Sequence, residues 1–210
     1  MPDSSPVIYL VDDDAALLDS MRWLLESADM KVRACGSAAE FLETYEKSRP
    51  GCVVLDVRMP GMGGIELQEQ MRRREISVPV IVTSAFGDVS TTVRAMKLGA
   101  LDFLEKPFSD DVLLDRIHKA LEIDDEQRAN LAQRDEMRDR WNTLTAREKD
   151  VGELVVAGMS NKVIASRLGV SVKTVEAHRA KVMSKMKASS VAELVRMDVA
   201  REDVDDAVAG

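Results

Sequence analysis

The chain has 210 residues, a hydrophobic fraction of 45% and a formal net charge of -8. This composition suits one large or two small globular domains and gives no general sign of nucleic-acid binding. The N-terminus lacks the basic and apolar regions of a signal peptide, and no apolar run approaches membrane-spanning length, so a cytoplasmic protein without membrane contact is expected. Cys35 and Cys52 lack metal-binding spacing, which fits a reducing compartment.

Short apolar runs alternate with amphipathic stretches along the first 121 residues. Strands are predicted at residues 7–11, 31–35, 52–56, 78–83 and 101–105. Helices are predicted at residues 14–27, 38–45, 65–74, 88–98 and 110–121. Five alternations of strand and helix indicate an α/β fold with a doubly wound, five-stranded parallel sheet covered on both faces. In such sheets the functional crevice lies beyond the C-terminal ends of the strands.

The rest of the chain has a purely helical pattern. Residues 122–141 are highly charged and contain neither glycine nor proline, which predicts an exposed helical connector, either solvated or forming a coiled coil. Further helices are predicted at residues 145–157, 160–168, 171–187 and 190–199. Residues 1–141 carry 18 Lys and Arg against 27 Asp and Glu, whereas residues 142–200 carry 10 against 6. We therefore predict a first domain at 1–122, a helical linker at 123–142, a small all-α domain at 143–200 and a flexible tail at 201–210.

Polar residues stand where the predicted strands end. Asp12 and Asp13 follow the first strand, Asp56 ends the third, Ser84 follows the fourth and Lys106 follows the fifth. Because the carboxyl ends of parallel strands share one edge, we expect these groups in one crevice. Crowded carboxylates favour a hard divalent cation such as Mg²⁺, and a carboxylate neutralised in this way can attack a phosphoryl donor. Simple capping of the following helix is the plainer alternative for the first two carboxylates.

The segments VDDD, LDVRMPGMGG, VTSAFGD and FLEKPF resemble the signatures of the receiver domain of two-component response regulators, a flavodoxin-like fold, over residues 6–122. The resemblance implies that Asp56 accepts a phosphoryl group from a histidine kinase, and that the domain catalyses only its own phosphorylation and dephosphorylation. The Mg²⁺ ligands that it implies are Asp12, Asp13, Asp56 and the main-chain carbonyl of Arg58. The other site residues that it implies are Ser84 as the switch hydroxyl, Phe103 as the switch aromatic and Lys106 as the family's invariant lysine, with a cis peptide bond before Pro107.

Some of these assignments have open alternatives. Thr83 is a rival hydroxyl one residue before Ser84, and strand alternation sends the two side chains to opposite faces; the spacing of the motif favours Ser84. Phe103 suits a plain core position as well as a switch position. Arg58 and Phe86 flank the site and are expected to tune hydrolysis of the phosphate.

Two helices joined by a tight turn at Gly169 and Val170, with basic residues on the second, suit binding in the DNA major groove. The stretch LTAREKDV…GMSNKVIASRLGVSVKTVEAHRAKVMSKM resembles the LuxR-type helix-turn-helix. Its pairing with a receiver resembles the FixJ/NarL group of transcription factors, and FixJ-like members in particular. The predicted DNA contacts are Lys162, Lys173, Thr174, Glu176, His178, Arg179, Lys181 and Lys185, of which Lys162 and Lys185 are expected to meet phosphates.

Other residues of this segment have structural interpretations. His178 suits helix packing as well as DNA contact, and Glu148 suits an ion pair within the domain. The positions with core spacing are Val163, Ile164, Leu168, Val170, Val175 and Val182. The resemblance implies a dimer surface on the last helix around Val191, Leu194 and Val195.

Together these features predict a phosphorylation-dependent, DNA-binding transcriptional regulator, an activator by its resemblance, that forms homodimers when phosphorylated. Its expected partners are a sensor histidine kinase and double-stranded DNA. One alternative is a phosphorylation-independent interaction protein with a relic pocket. Another is a small phosphatase-like enzyme, but the sequence shows no substrate-binding residues beyond the crevice.

Overall fold

The computed structural model describes residues 5–85 and 89–208. In this part of the chain, a parallel sheet has the strand order β2-β1-β3-β4-β5. The strands are β1 (Val7–Val11), β2 (Lys31–Cys35), β3 (Gly51–Asp56), β4 (Val80–Ser84) and β5 (Asp102–Glu105). Every residue of β1, β3 and β4 is buried, as expected for apolar strands covered on both faces. The predicted doubly wound α/β fold is confirmed.

Helices cover both faces of the sheet. They are α1 (Ala15–Ser27), α2 (Ala38–Thr44), α3 (Gly64–Arg73), α4 (Val89–Lys97) and α5 (Asp110–Asn142). One apolar cluster joins the sheet to α2, α3 and α4 through residues such as Phe41, Leu67 and Ala95. The other joins it to α1 and α5 through residues such as Leu25 and Ile117.

The C-terminal part of the described chain is helical, with α6 (Ala146–Val156), α7 (Asn161–Leu168), α8 (Val172–Met186) and α9 (Val191–Val208). These helices share an apolar core in which Trp141, Ile164 and Val175 are buried. Gly169 ends α7 in the left-handed conformation with φ of 67°, which favours glycine because a Cβ is strained there. The turn into α8 therefore falls where the sequence predicts it.

The helical segments are longer than predicted. The last helix of the first domain and the connector form one helix, α5, because no glycine or proline interrupts residues 110–142. Contacts divide the chain into units Met1–Arg128 and Ala129–Gly210, so the division falls within α5; the linker bounds 123–142 stay a prediction. The expected end of the last helix at residue 199 is wrong, since α9 runs to Val208 without a helix breaker. The flexible tail stays a prediction, and residues 209–210 lie outside the described part.

One expectation about an apolar core residue is also wrong. Val163 is 51% exposed rather than part of the core, because it lies on the outer side of the short helix α7. Leu194 is completely buried within its own unit, whereas Val191 and Val195 are half-buried, so a dimer surface on the last helix stays a prediction. No helix in the described ranges has the length and apolarity that crossing a membrane requires.

Candidate functional site

Two neighbouring strands bring Asp12 and Asp56 together. β1 and β3 pair in parallel with Val11 opposite Leu55, so the next residue of each strand emerges at the same edge of the sheet. Both carboxylates are largely buried, with Asp12 3% and Asp56 6% exposed. The sequence prediction that these two groups share a crevice is therefore met by the register of the sheet.

Lys106 lies between the two carboxylates. Its Nζ donates hydrogen bonds to Asp12 Oδ2 and to Asp56 Oδ1, both at 2.6 Å. The lysine follows β5, its main-chain N–H donates to the Ser84 carbonyl at 2.8 Å, and its peptide bond to Pro107 is cis, as predicted. One ammonium therefore offsets the charge of both acidic groups.

Burial and charge compete in setting the pKa values of this cluster. Burial raises the pKa of Asp56 above its ordinary value, even though the hydrogen bond from Lys106 and the nearby positive charge favour the carboxylate. For Lys106, burial acts to lower the pKa, but the hydrogen bonds to Asp12 and Asp56 outweigh it and the pKa is raised. Burial is therefore the largest influence on the Asp56 carboxyl group, and Lys106 opposes it.

The loop after β3 orients the Asp56 side chain. The Arg58 N–H donates to Asp56 Oδ2 at 2.6 Å, and the Gly64 N–H donates to the Val57 carbonyl at 2.9 Å. A Cβ on Gly64 would lie 2.2 Å from the Asp56 carbonyl oxygen, so only glycine allows this close approach. The glycine-rich sequence after Asp56 therefore serves the geometry of the carboxylate.

The acidic edge fits a hard cation in the chemistry of its donors. Asp12, Asp56 and the Arg58 carbonyl supply only oxygen atoms, which Mg²⁺ prefers. Asp13 is exposed, and no group of three acidic, histidine or cysteine side chains in the described part lies close enough together to hold a metal ion. A cation here would therefore be completed by main-chain and water oxygens, consistent with the waters that Mg²⁺ usually retains.

The two candidate switch hydroxyls are equally buried. Thr83 and Ser84 are each 1% exposed. Thr83 is opposite Asp56 in the sheet register, whereas Ser84 is opposite Glu105, so the register does not by itself select Ser84. Phe103 is half-buried and packs against the cluster beneath α2, α3 and α4, which suits both of its interpretations. The predicted tuning residue Phe86 lies outside the described residues.

The second unit presents one outward face of α8. Its exposed residues recur at helical spacing and are Lys173, Glu176, Ala177, Ala180, Lys181 and Ser184. Three of these, Lys173, Glu176 and Lys181, are predicted DNA contacts. The sequence interpretation missed Ala177, Ala180 and Ser184, which the spacing of three and four residues from Lys173 indicates.

Other predicted DNA contacts are held within the unit. The Lys185 ammonium donates to Glu148 Oε2 at 2.6 Å and to the Thr143 carbonyl at 3.1 Å, so it serves an internal ion pair rather than standing free for a phosphate. Hydrogen bonds from Lys185 and from the Thr145 N–H lower the pKa of Glu148 to about 2. The structural interpretation of Glu148 is therefore met.

Three more predicted contacts lie along the edge of the exposed face. Arg179 Nη1 donates to Asn161 Oδ1 at 2.9 Å, and the Thr174 hydroxyl is 2.8 Å from that of Ser171. His178 is half-buried, and its Nδ1 has no hydrogen-bond partner among the described residues, so packing and DNA contact both stay open for it. Lys162 is exposed at the start of α7.

Comparisons with known proteins agree with this architecture. A family model for the response regulator receiver domain matches residues 8–118, and one for bacterial regulatory proteins of the luxR family matches residues 142–198. The chain is 46% identical to the transcriptional regulatory protein FixJ of Azorhizobium caulinodans, over 94% of this chain and 93% of that protein. It is 40% identical to the response regulator protein TodT of Pseudomonas putida, over 94% of this chain and 87% of that protein. The solved structure of the response regulator StyR covers 92% of this chain and 98% of its own, with a TM-score of 0.82 and 41% identity.

The fold and its acidic edge therefore define a receiver domain joined to a helix-turn-helix domain. The chain belongs to the FixJ-like response regulators of the luxR family and is a transcriptional regulator of a two-component system. A receiver domain implies a histidine kinase as partner, and a luxR-type domain implies DNA.

Proposed function

We propose that a histidine kinase phosphorylates Asp56, and that this modification promotes dimerisation and DNA binding. The observation that carries the proposal is the placement of Lys106 Nζ 2.6 Å from both Asp12 Oδ2 and Asp56 Oδ1. Ion pairs with a purely structural role commonly lie at the surface and join one cation to one anion. Here one largely buried ammonium contacts two carboxylates at the edge of the sheet, an arrangement that is common at functional sites. Because DNA is the partner, the protein acts in the cytoplasm.

The chemistry follows from the orientation of Asp56. One carboxylate oxygen attacks the phosphorus atom, and the bond between phosphorus and the kinase histidine nitrogen breaks. The ammonium of Lys106 stabilises the charge on the phosphoryl oxygens, and the Arg58 N–H holds the second carboxylate oxygen in place. Asp12, Asp56 and the Arg58 carbonyl would hold Mg²⁺ together with water oxygens, and the cation when bound supplies further positive charge. The same groups serve hydrolysis of the aspartyl phosphate, so the catalysis concerns the protein's own modification.

The switch residues lie on the strands next to Asp56. A phosphoryl group adds charge and strong acceptor oxygens to the carboxylate. The Ser84 hydroxyl is the donor that we propose for one of them, and Phe103, which is half-buried, then fills the space beside β4. Such a change repacks β5 and the helices α4 and α5 that flank it.

The surface of α4 supports dimerisation. Val89, Val93 and Met96 are 78%, 45% and 45% exposed, and their spacing of four and three residues aligns them on one face. Contiguous exposed apolar side chains on a globular domain mark an interaction site. We propose that this face, rather than Leu194 of α9, holds two phosphorylated receivers together.

The outward face of α8 supports DNA binding. Lys173 lies at the start of this face, Lys181 lies two turns further along, and Glu176 lies between them. In a major groove, carboxylates accept from cytosine amino groups, and alanine side chains contact thymine methyl groups, so Ala177 and Ala180 allow a close approach. The domain has only a small excess of basic residues, and we therefore propose that two copies bind a two-fold related site.

Labelling and DNA binding test the proposal together. The wild-type chain, incubated with acetyl phosphate and Mg²⁺, should form one aspartyl phosphate per molecule and bind selected DNA more tightly. Asp56→Asn should do neither, while Asp110→Asn, an exposed change in the same unit, should behave as wild type. Labelling of Asp56→Asn to the same extent as wild type would refute the assignment of Asp56 as the phosphoryl acceptor. Equal DNA affinity with and without phosphodonor would favour the relic-pocket alternative.

A further inference from the structure

The first part of the charged connector is packed against the receiver. Its sequence predicts a solvated helix, yet Asp124 is only 3% exposed. Asp124 Oδ2 accepts a hydrogen bond from the Gly51 N–H at 2.9 Å and another from Arg128 Nε at 2.7 Å. A buried carboxylate that accepts two hydrogen bonds forms a specific tertiary contact and is not a solvated side chain.

Arg128 extends this contact to the loop between α2 and β3. Its Nη2 donates to the Arg49 carbonyl at 2.5 Å and its Nη1 to the Lys47 carbonyl at 3.3 Å. We call Asp124 and Arg128 the clamp, because together they hold the start of β3 and the loop before it, and the planar guanidinium makes several of these bonds at once.

The clamp holds the strand that carries the phosphoacceptor. Gly51 begins β3 and Asp56 ends it. A Cβ on Gly51 would lie 2.0 Å from the Val7 carbonyl oxygen, so the start of β3 is pressed against β1 and has little freedom to adjust. Asp124 therefore holds a main-chain N–H in a closely packed part of β3.

An exposed ion pair in the same helix shows the contrast. Asp135 and Arg138 are 2.6 Å apart, but their side chains are 61% and 51% exposed. Exposed ion pairs of this kind contribute little to the free energy of unfolding. A buried ion pair need not make a protein more stable than apolar residues would in its place. It can, however, favour one arrangement of the elements that it joins.

We propose that the clamp is a coupling element, which fixes α5 to the start of β3 so that phosphorylation of Asp56 reaches the helix beyond residue 128. This deepens the proposed function and rests on it. The coupling uses a contiguous physical path, from the carboxylate along β3 to Gly51, Asp124 and α5.

The test compares two clamp variants with a matched control in the full chain. Arg128→Gln removes the charge and the bonds to the loop, and Asp124→Asn is milder because its amide oxygen can still accept from the Gly51 N–H. The double variant Asp135→Asn/Arg138→Gln removes the exposed pair from the same helix. Each protein is assayed for labelling by acetyl phosphate, for DNA affinity with and without phosphodonor, and for hydrogen exchange in residues 45–51 and 122–130.

For Arg128→Gln we expect wild-type labelling, faster exchange in both segments, and a phosphorylation-induced gain in DNA affinity reduced by about fivefold or more, the lower end of common allosteric couplings. Asp124→Asn should show the same changes to a smaller extent. The control should keep the wild-type gain. An unchanged gain in clamp variants whose exchange shows an opened clamp would overturn the proposal. Loss of labelling would also overturn it, since the clamp would then support the pocket itself.

The outcomes for wild type separate this proposal from the function on which it rests. A wild-type chain that neither accepts phosphate nor changes its DNA affinity contradicts the proposed function. A wild-type chain that does both, beside clamp variants that respond equally well, contradicts the clamp alone.

Discussion

Replacing Lys106 with methionine removes the ammonium that lies between Asp12 and Asp56 and keeps most of the side-chain volume. The two carboxylates are 4% and 8% exposed in their side chains, and the lysine side chain is 19% exposed. The variant therefore leaves two buried negative charges without the cation that offsets them. We expect the receiver to lose stability and Asp56 to be phosphorylated more slowly.

The size of the stability loss follows from this burial. Removing one partner of a buried ion pair costs about 3–5 kcal/mol. Partial exposure of Lys106 places the effect near the lower end, at about 3 kcal/mol. Since about 1.4 kcal/mol corresponds to a factor of ten, amide exchange that requires unfolding of the receiver should be faster by roughly 150-fold.

Hydrogen exchange in the full chain measures this effect in one unit at a time. Peptides from β1 and β3 report the receiver, and peptides from α6 and α8 act as an internal reference. The experiment is done without Mg²⁺, because a bound cation would replace part of the lost charge. Lys119→Met, a change at an exposed position of α5, is the control. A change below about fivefold, or labelling by acetyl phosphate at the wild-type rate, would show that Lys106 does not balance the two carboxylates.

Three further predictions concern the switch, the dimer and the second unit. Ser84→Ala should be labelled normally but lose most of the phosphate-induced gain in DNA affinity, measured by gel shift, whereas Thr83→Val should keep it. Val93→Asp should abolish phosphate-dependent dimers in sedimentation experiments, because it places a charge within the apolar face of α4. Glu148→Gln should be less stable than its parent at neutral pH. Its stability should also fall less than that of the parent when the pH is lowered. The pKa of Glu148 is lowered to about 2 from 4.5, so its stabilising effect is complete above pH 4.5 and disappears as the pH falls towards 2.

Specific results would contradict each of these predictions. If Thr83→Val and not Ser84→Ala lost the response, the hydroxyl opposite Asp56 in the sheet register would be the switch. Dimers of Val93→Asp would place the dimer surface elsewhere. For Glu148, buried Trp141 reports unfolding of the second unit while Trp23, 75% exposed, is changed to phenylalanine. Equal slopes of stability between pH 4.5 and 2 in Glu148→Gln and its parent would refute the ion-pair argument.

The sheet and the acidic pocket could be predicted from sequence because their signals are local. Apolar runs ended by polar residues locate the strands, and parallel strands of one sheet must end at one edge. That rule is sufficient to bring Asp12, Asp56 and Lys106 together from the order of residues alone. The close approach of the Gly64 backbone to Asp56 depends on the path of the loop, which these local signals do not give.

Contacts between distant segments could not be predicted in this way. Asp124 and Arg128 lie in a highly charged stretch, which suggests exposure to solvent. The pattern of one helix carries no information about the loop that packs beside it. Lys185 has the charge and spacing of a phosphate contact. Only the packing of α6 against α8 shows that its ammonium forms an ion pair with Glu148.

The sequence by itself determined the two domain types, the order of their elements and the chemical groups of the pocket, since each depends on residues close together in the chain. The tertiary structure decided which charges are free and which are engaged, because an ion pair depends on distance in space. It also decided that the connector is held to the start of β3, the strand that ends in Asp56.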